Sequence, residues 1–353
     1  MKILISAQSA TKMYGGIKRF VERYAASVNA DTYILMRKNM SKPYLLDGQV
    51  VENVKKAIKG IKPDVVHIQS ILDAASFEGL IDTYKGIPTV YFCHSLIEDF
   101  YDSPYLNKEM TEKQQGAQKE LFEKVDKVVF FNQYNEHKAL NQYECLEGKT
   151  FVMNHGIQKV PITKIEREPK TILYVGRLAW EKGTKELAEA YRQLYEKDPE
   201  YKLLLVGSCI DRFLLDKLKE VLEGTSYQWI DWVEQEELRK YYTTSSVLVI
   251  PSFFESFNLV ALEGLSYGIP ILMSDIPVFK EKFISLGLAK SIGAVSKDNI
   301  TEALESFFAA PFSGRILPES YGYDSFLRAM AGVNKSVLGK ENLILRLIKR
   351  VYK

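Results

Sequence analysis

Short apolar runs alternate with longer, charge-rich segments along the whole chain, and the alternation starts afresh in the second half. In the first half the runs are Lys2 to Ser6, Asp64 to Ile68, Pro88 to Cys93 and Lys127 to Phe131. In the second half they are Thr171 to Gly176, Lys202 to Gly207, Val247 to Ile250 and Pro270 to Met273. Runs this short and this continuously apolar suit parallel strands buried on both faces, and the segments between them suit the helices that cover such a sheet. After the first run come Gly15 and Gly16, then Ile17, Phe20, Val21, Tyr24, Ala25 and Val28. Those spacings of three and four predict an amphipathic helix leaving a glycine turn, and a second helix is expected from about Thr184. The expected fold class is α/β, with two Rossmann-like, doubly wound units.

A length of 353 residues suits two domains, each with its own core. Val160 to Lys170 is short, charged and carries Pro161 and Pro169, the composition of a linker. The expected domains are therefore 1–165, 166–325 and a C-terminal piece, 326–353. In open parallel sheets ligands sit at the carboxyl ends of the strands. Two such sheets on one chain predict a cleft between two facing rims.

Composition removes several classes of function. A net charge of +2 is too small for a general nucleic-acid footprint, and no RNA-recognition signature occurs. Cys93, Cys145 and Cys209 lie far apart and the chain has four histidines, so neither a disulfide framework nor a zinc site is indicated. No Asp-x-Asp triplet is present to hold a divalent ion on a diphosphate, and no metal or cofactor is expected. No Gly-x-Gly occurs, which argues against a dehydrogenase. The N-terminal apolar run is far shorter than a signal-peptide core and no run approaches a membrane span, so a cytoplasmic protein is expected.

Two clusters carry candidate chemistry. The first, Gly176-Arg177-Leu178-Ala179-Trp180-Glu181-Lys182-Gly183, follows an apolar strand. Its two cations can reach one dianion while its glycines permit tight turns. Alone, it fits a solvated charged loop equally well. The second runs from Pro251 to Gly264 and holds Glu255 and Glu263, eight residues apart. Glu263 can accept from a ribose diol, as acidic residues do in dinucleotide folds, and the N–H groups near Leu259 and Val260 can hold a phosphate at a helix start. The plainer alternative is a surface acid and a helix-face acid favoured by the dipole.

With the early Gly-Gly and a histidine after a central strand, in Phe92-Cys93-His94-Ser95, these clusters make the chain resemble the retaining glycosyltransferases of family 4 (glycosyl transferases group 1). That family has the GT-B fold, with a C-terminal helix crossing back to the first domain. The resemblance covers almost the whole chain and implies transfer of a sugar from a nucleotide-sugar, by default a UDP-sugar, to a glycan, glycolipid or glycoprotein acceptor. It implies that Arg177 and Lys182 neutralise the donor diphosphate, that Glu255 contacts the transferred sugar and that Glu263 holds the ribose. Gly16 would approach the diphosphate, His94 would lie beside the sugar and acceptor, and Gly207, Val233, Asn258, Leu259 and Val260 would complete the donor pocket. The residues depart from the common pattern at Ser256 and Asn258, which flank Phe257 in place of glycines, at Cys209 and at Asp231. Sugar and base identity are left open by these changes. His155, beside the turn-formers Asn154 and Gly156, is given no catalytic role, and neither are His67 and His137.

From Glu341 to Lys353, Ile344, Leu347, Ile348 and Val351 share one helical face and Arg346, Lys349, Arg350 and Lys353 the other. A closing helix against the first domain is one reading of this tail. The same role can fall to Tyr323 to Leu338, leaving the tail to lie on an anionic membrane surface, as would suit a lipid-linked acceptor at the inner face of the cell membrane. Two alternatives to a transferase stay open: a GT-B sugar-nucleotide epimerase and a non-catalytic partner of another glycosyltransferase.

Overall fold

The computed structural model describes residues 1–7, 16–39, 41–77, 79–100, 108–158, 165–315 and 317–339. The chain divides into two compact units, Met1–Asn154 with Asp324–Lys353, and His155–Tyr323. The first division falls upstream of the boundary near 166 expected from the linker. Most of that linker, 159–164, lies outside the described residues.

The first unit holds β1 (Lys2–Ser6), β2 (Asp31–Asn39), β3 (Ser41–Leu46), β4 (Gln49–Val51), β5 (Val65–Ile68), β6 (Thr89–Cys93), β7 (Lys127–Phe130) and β8 (Thr150–Val152). They form one sheet in the order β4-β3-β2-β1-β5-β6-β7-β8. From β2 to β8 the pairing is parallel, and every residue of β5 and β6 is buried. At the other edge β2, β3 and β4 pair antiparallel, an extension the strand alternation did not predict. Its signal was nevertheless present. Asp47-Gly48 joins β3 to β4 with φ of 49° and 83°, the left-handed pair that a two-residue hairpin needs. The expected first helix runs Gly16–Ser27 and buries Phe20, Val21 and Tyr24.

The helix Tyr323–Leu338 packs on this unit. Asn334 bridges two buried groups: His67 Nε2 on β5 lies 2.7 Å from its Oδ1, and its Nδ2 donates to the Tyr24 hydroxyl at 3.3 Å. Phe326 stands edge-on to Phe20 and Tyr24 at 5.5 and 6.2 Å. His67 is thus a structural residue, fully buried, and burial lowers its pKa to about 4. His137 is exposed on a helix. The basic tail 341–353 lies outside the described residues.

The second unit holds β9 (Thr171–Val175), β10 (Lys202–Val206), β11 (Tyr227–Ile230), β12 (Val247–Ile250), β13 (Ile271–Met273) and β14 (Lys290–Ser291). All are parallel, in the order β11-β10-β9-β12-β13-β14. The helix after β9 starts at Thr184 as expected and turns Leu187, Ala190, Tyr191 and Leu194 into the core. Chain order reverses on either side of β9, so the loops after β9, β10 and β12 open beside one another at the switch point, where ligands of such sheets bind.

Candidate functional site

Glycines bring the three switch-point loops of the second unit into contact. Gly176, at φ 145°, donates its N–H to Val206 O at 2.9 Å, and Leu178 donates to Ser208 O at 2.8 Å. A Cβ on Gly207 would stand 1.9 Å from Gly176 O, so only glycine allows the loops after β9 and β10 to run this close. On the other side Gly183, at φ 65°, has no room for a side chain, because its Cβ would lie 2.0 Å from Pro251 O. Phe253 N–H completes the join by donating to Glu181 O at 3.0 Å. The loop 176–183 is therefore held from both sides, and its charged side chains are carried on a fixed backbone.

Those charges meet the second cluster directly. Lys182 Nζ lies 2.8 Å from Glu255 Oε1, with both side chains partly buried. The same oxygen accepts from Ser252 Oγ and Asn258 Nδ2, each at 3.1 Å. Asn258 also caps the helix Leu259–Ser266, its Oδ1 accepting from Ala261 N–H at 2.8 Å. An asparagine where the related pattern has glycine thus serves both the helix start and the acid before it. Leu259 and Val260 supply the first two N–H groups of that helix. Arg177 is half exposed and pairs with Glu181 at 2.5 Å. Glu263 is only 2% exposed, and the Tyr242 hydroxyl donates to its Oε2 at 3.2 Å. Gly207 faces the backbone of Gly176, and Val233 is half-buried in the loop after β11.

His155, passed over in the sequence, supports this arrangement from behind. Its ring stands 4.7 Å from that of Phe257, which also meets Phe283 at 5.7 Å and Tyr321 at 6.2 Å. Phe257 is 4% exposed, so the turn bearing Glu255 and Asn258 is anchored in an aromatic cluster. Nothing in the order of residues linked His155 to Phe257; the two lie far apart along the chain and meet only in the fold.

In the first unit, two expected residues, Gly16 and His94, and one the sequence reading did not single out, Gln69, follow adjacent strands. Gly16 opens the helix after β1, Gln69 follows β5 and His94 follows β6. His94 Nε2 lies 2.7 Å from Gln69 Oε1, and its ring is stacked on Phe131 at 5.2 Å and edge-on to Phe20 at 5.4 Å. Phe20 belongs to the helix that Gly16 opens. Burial lowers the His94 pKa to about 3, so the ring is neutral at pH 7 and the Gln69 contact selects its tautomer. Gln69 is 2% exposed, and its Nε2 has no hydrogen-bond partner among the described residues. The segment after His94, Leu96 to Lys108, is described only as far as the short helix Ile97–Phe100 and again from Lys108; residues 101–107 lie outside the described residues.

Among the described residues no group of three or more His, Cys, Asp or Glu side chains could hold a metal ion. No helix among them is long and apolar enough to cross a membrane.

The family described as Glycosyl transferases group 1 matches residues 158–313, the span that carries both charged clusters. The chain is 26% identical over 257 residues to the alpha-monoglucosyldiacylglycerol synthase of Acholeplasma laidlawii. That alignment takes in 65% of this chain and 63% of the relative, slightly less than two thirds of the relative's length. Among solved structures, the sucrose-phosphate synthase of Thermosynechococcus elongatus superposes with a TM-score of 0.71 at 17% identity, covering 100% of this chain and 98% of the other. A protein of Anabaena crystallised with UDP and glucose gives 0.66 at 12% identity, covering 100% and 99%. At these identities the likeness is one of fold.

Proposed function

We propose that the chain is a retaining glycosyltransferase of family 4, because residues 158–313 match the Glycosyl transferases group 1 family and the chain has the GT-B fold. In this reading it acts without a metal and transfers a sugar from a UDP-sugar to a glycan or lipid-linked acceptor. The observation that carries the reading is the Lys182–Glu255 contact: two motifs far apart in sequence meet at the switch point of one sheet, on loops held by glycines.

The reaction breaks the bond between the sugar's anomeric carbon and the diphosphate oxygen and forms one from that carbon to an acceptor hydroxyl oxygen; the hydroxyl proton leaves with the diphosphate. Negative charge grows on the departing group, so fixed cations and N–H dipoles there lower the barrier. Lys182 and Arg177 supply the charge, and the N–H groups of Leu259 and Val260 the dipole. Both cations already hold acidic partners, Glu255 and Glu181, which keep them extended from the loop until the diphosphate takes over. Glu255 is then free to accept from the sugar hydroxyls, and Glu263 is assigned to the ribose. Gly16, Gly207, Val233 and Asn258 complete the donor pocket. His94, neutral and oriented by Gln69, is assigned to the sugar and acceptor side. A lipid-linked acceptor accords with the relative named as a synthase of a glucosyl lipid, and the tail 341–353 would serve it by lying on an anionic membrane.

The test is nucleotide release from a panel of UDP-, GDP- and ADP-sugars in EDTA. The expected result is release from one UDP-sugar, lost in the Arg177→Ala, Lys182→Ala double variant, with an α-linked donor giving an α-linked product by NMR. Recovery of an epimerised donor instead of a glycoside would replace the transferase reading with the epimerase. Failure of every nucleotide-sugar to bind would leave a non-catalytic partner.

A further inference from the structure

The acid of the second charged loop is held at one oxygen and open at the other. Glu255 Oε1 lies 2.8 Å from Lys182 Nζ and accepts from Ser252 Oγ and Asn258 Nδ2, each at 3.1 Å. Oε2 has no partner among the described residues and is not buried. A carboxylate has about four acceptor sites, or about two on each oxygen. Three donors therefore crowd Oε1, and the two neutral ones are enough to fill it when Lys182 moves away.

Those two donors are themselves fixed by other bonds. Ser252 is 2% exposed, and its carbonyl accepts from Ser274 Oγ at 2.5 Å. Asn258 Oδ1 accepts from Ala261 N–H at 2.8 Å at the start of the helix Leu259–Ser266. Turning the amide over would set its oxygen against the carboxylate and its NH2 against the Ala261 N–H, two repulsive contacts in place of two hydrogen bonds. The amide thus has one orientation, with an N–H aimed at Glu255. A glycine at this position, as in the related pattern, caps a helix nearly as well but has no side chain to donate. The helix start alone does not require an asparagine here.

We infer that Asn258, assisted by Ser252, is a positioning residue for the sugar-facing acid: it keeps Oε1 occupied and leaves Oε2 alone to meet the transferred sugar, before and after Lys182 passes to the diphosphate. One fixed acceptor reads one sugar hydroxyl, so Asn258 sharpens the choice between donors that differ at that hydroxyl. This inference rests on the transferase reading and on Glu255 as the sugar contact.

The test is nucleotide release by the full chain from UDP-glucose, UDP-galactose and UDP-N-acetylglucosamine, the fastest of which is then compared with its 3-, 4- and 6-deoxy analogues. The parent is expected to lose ten-fold or more in kcat/KM with one analogue and far less with the other two. Asn258→Ser keeps a neutral helix cap but is too short to reach Glu255 as well. In this variant kcat for the full sugar should fall about ten-fold and the penalty for the one analogue should shrink at least three-fold, while UDP affinity stays within two-fold and the urea midpoint stays that of the parent. Adding Ser252→Ala deepens the loss, because Lys182 is then the only partner left on Oε1. An unchanged kcat and analogue penalty in both variants overturns the inference, and so does a parent penalty spread evenly over the analogues. A fall in kcat matched by falls in UDP affinity and urea midpoint makes Asn258 merely structural and overturns it as well. A parent that releases nucleotide from none of the three donors overturns the UDP-sugar reading, and this inference with it.

Discussion

At the residue scale, the site depends on positions where a side chain has no space. Gly183 and Gly224 both have positive φ, 65° and 73°, but a Cβ on Gly224 meets nothing within 4 Å whereas one on Gly183 meets Pro251 O at 2.0 Å. Gly224→Ala is expected to cost only the left-handed backbone term, about 1–2 kcal/mol. Gly183→Ala adds displacement of the loop that carries Lys182, and is expected to lose more stability and most nucleotide-sugar turnover. Equal denaturant midpoints for the two variants would remove the close approach from the explanation. Lys182→Ala should lower kcat by about 10²–10³-fold, the scale for losing one preorganised contact to developing charge, with little change in KM. Stopped assays over a range of donor concentrations measure both constants, and a change confined to KM would assign Lys182 to ground-state binding alone.

At the element scale, the helix Tyr323–Leu338 is held to the first sheet by a buried polar bridge at His67, and the burial of that histidine and of His94 makes the unit acid-sensitive. His67 and His94 have pKa values lowered from 6.5 to about 4 and about 3, so between those values and 6.5 the unfolded chain binds protons that the folded unit does not. The contribution of these two histidines is therefore constant above about pH 6.5 and falls as pH drops below it, by up to about 1.4 kcal/mol per pH unit for each. Urea midpoints from pH 7.5 to 4.5 should show the decline, with a shallower slope in His67→Phe. A slope unchanged by that substitution would mean His67 titrates normally. Asn334→Leu leaves His67 Nε2 buried without a partner and should cost about 1–3 kcal/mol.

At the scale of the whole molecule, each unit has its own apolar core, and the two levers act on different units. Both acid-sensitive histidines are in the first unit, whereas the proposed nucleotide contacts of Lys182, Glu255 and Asn258 are in the second. Calorimetry should show UDP at about 100 times its Kd adding roughly 2.7 kcal/mol to the transition of the second unit. Lowering the pH from 7 to 5 should move the transition of the first. A single transition that both treatments shift together would show that the units unfold as one.

Much of this protein was legible in the order of its residues. Local apolar runs and their spacing determined the central strands β1, β5, β6, β7, β9, β10, β12 and β13, the helices after Gly16 and near Thr184, and the loops that bear Arg177, Lys182, Glu255 and Asn258, because periodicity and turn chemistry act over a few residues; β2, β3, β4, β8, β11 and β14 were not read. The Asp47-Gly48 hairpin was equally local and went unread. Tertiary structure alone decided which loops touch: that Gly183 must yield to Pro251 O, that Lys182 reaches Glu255, that His155 stands behind Phe257 and that Asn334 meets His67. It also decided that Arg167, an unremarkable residue of the linker, reaches carbonyls at the ends of two helices, those of Tyr242, Ser245 and Gly268. Each of these contacts joins positions far apart along the chain, and the free energy that selects them comes from packing and burial, quantities that exist only once the sheets have closed around them.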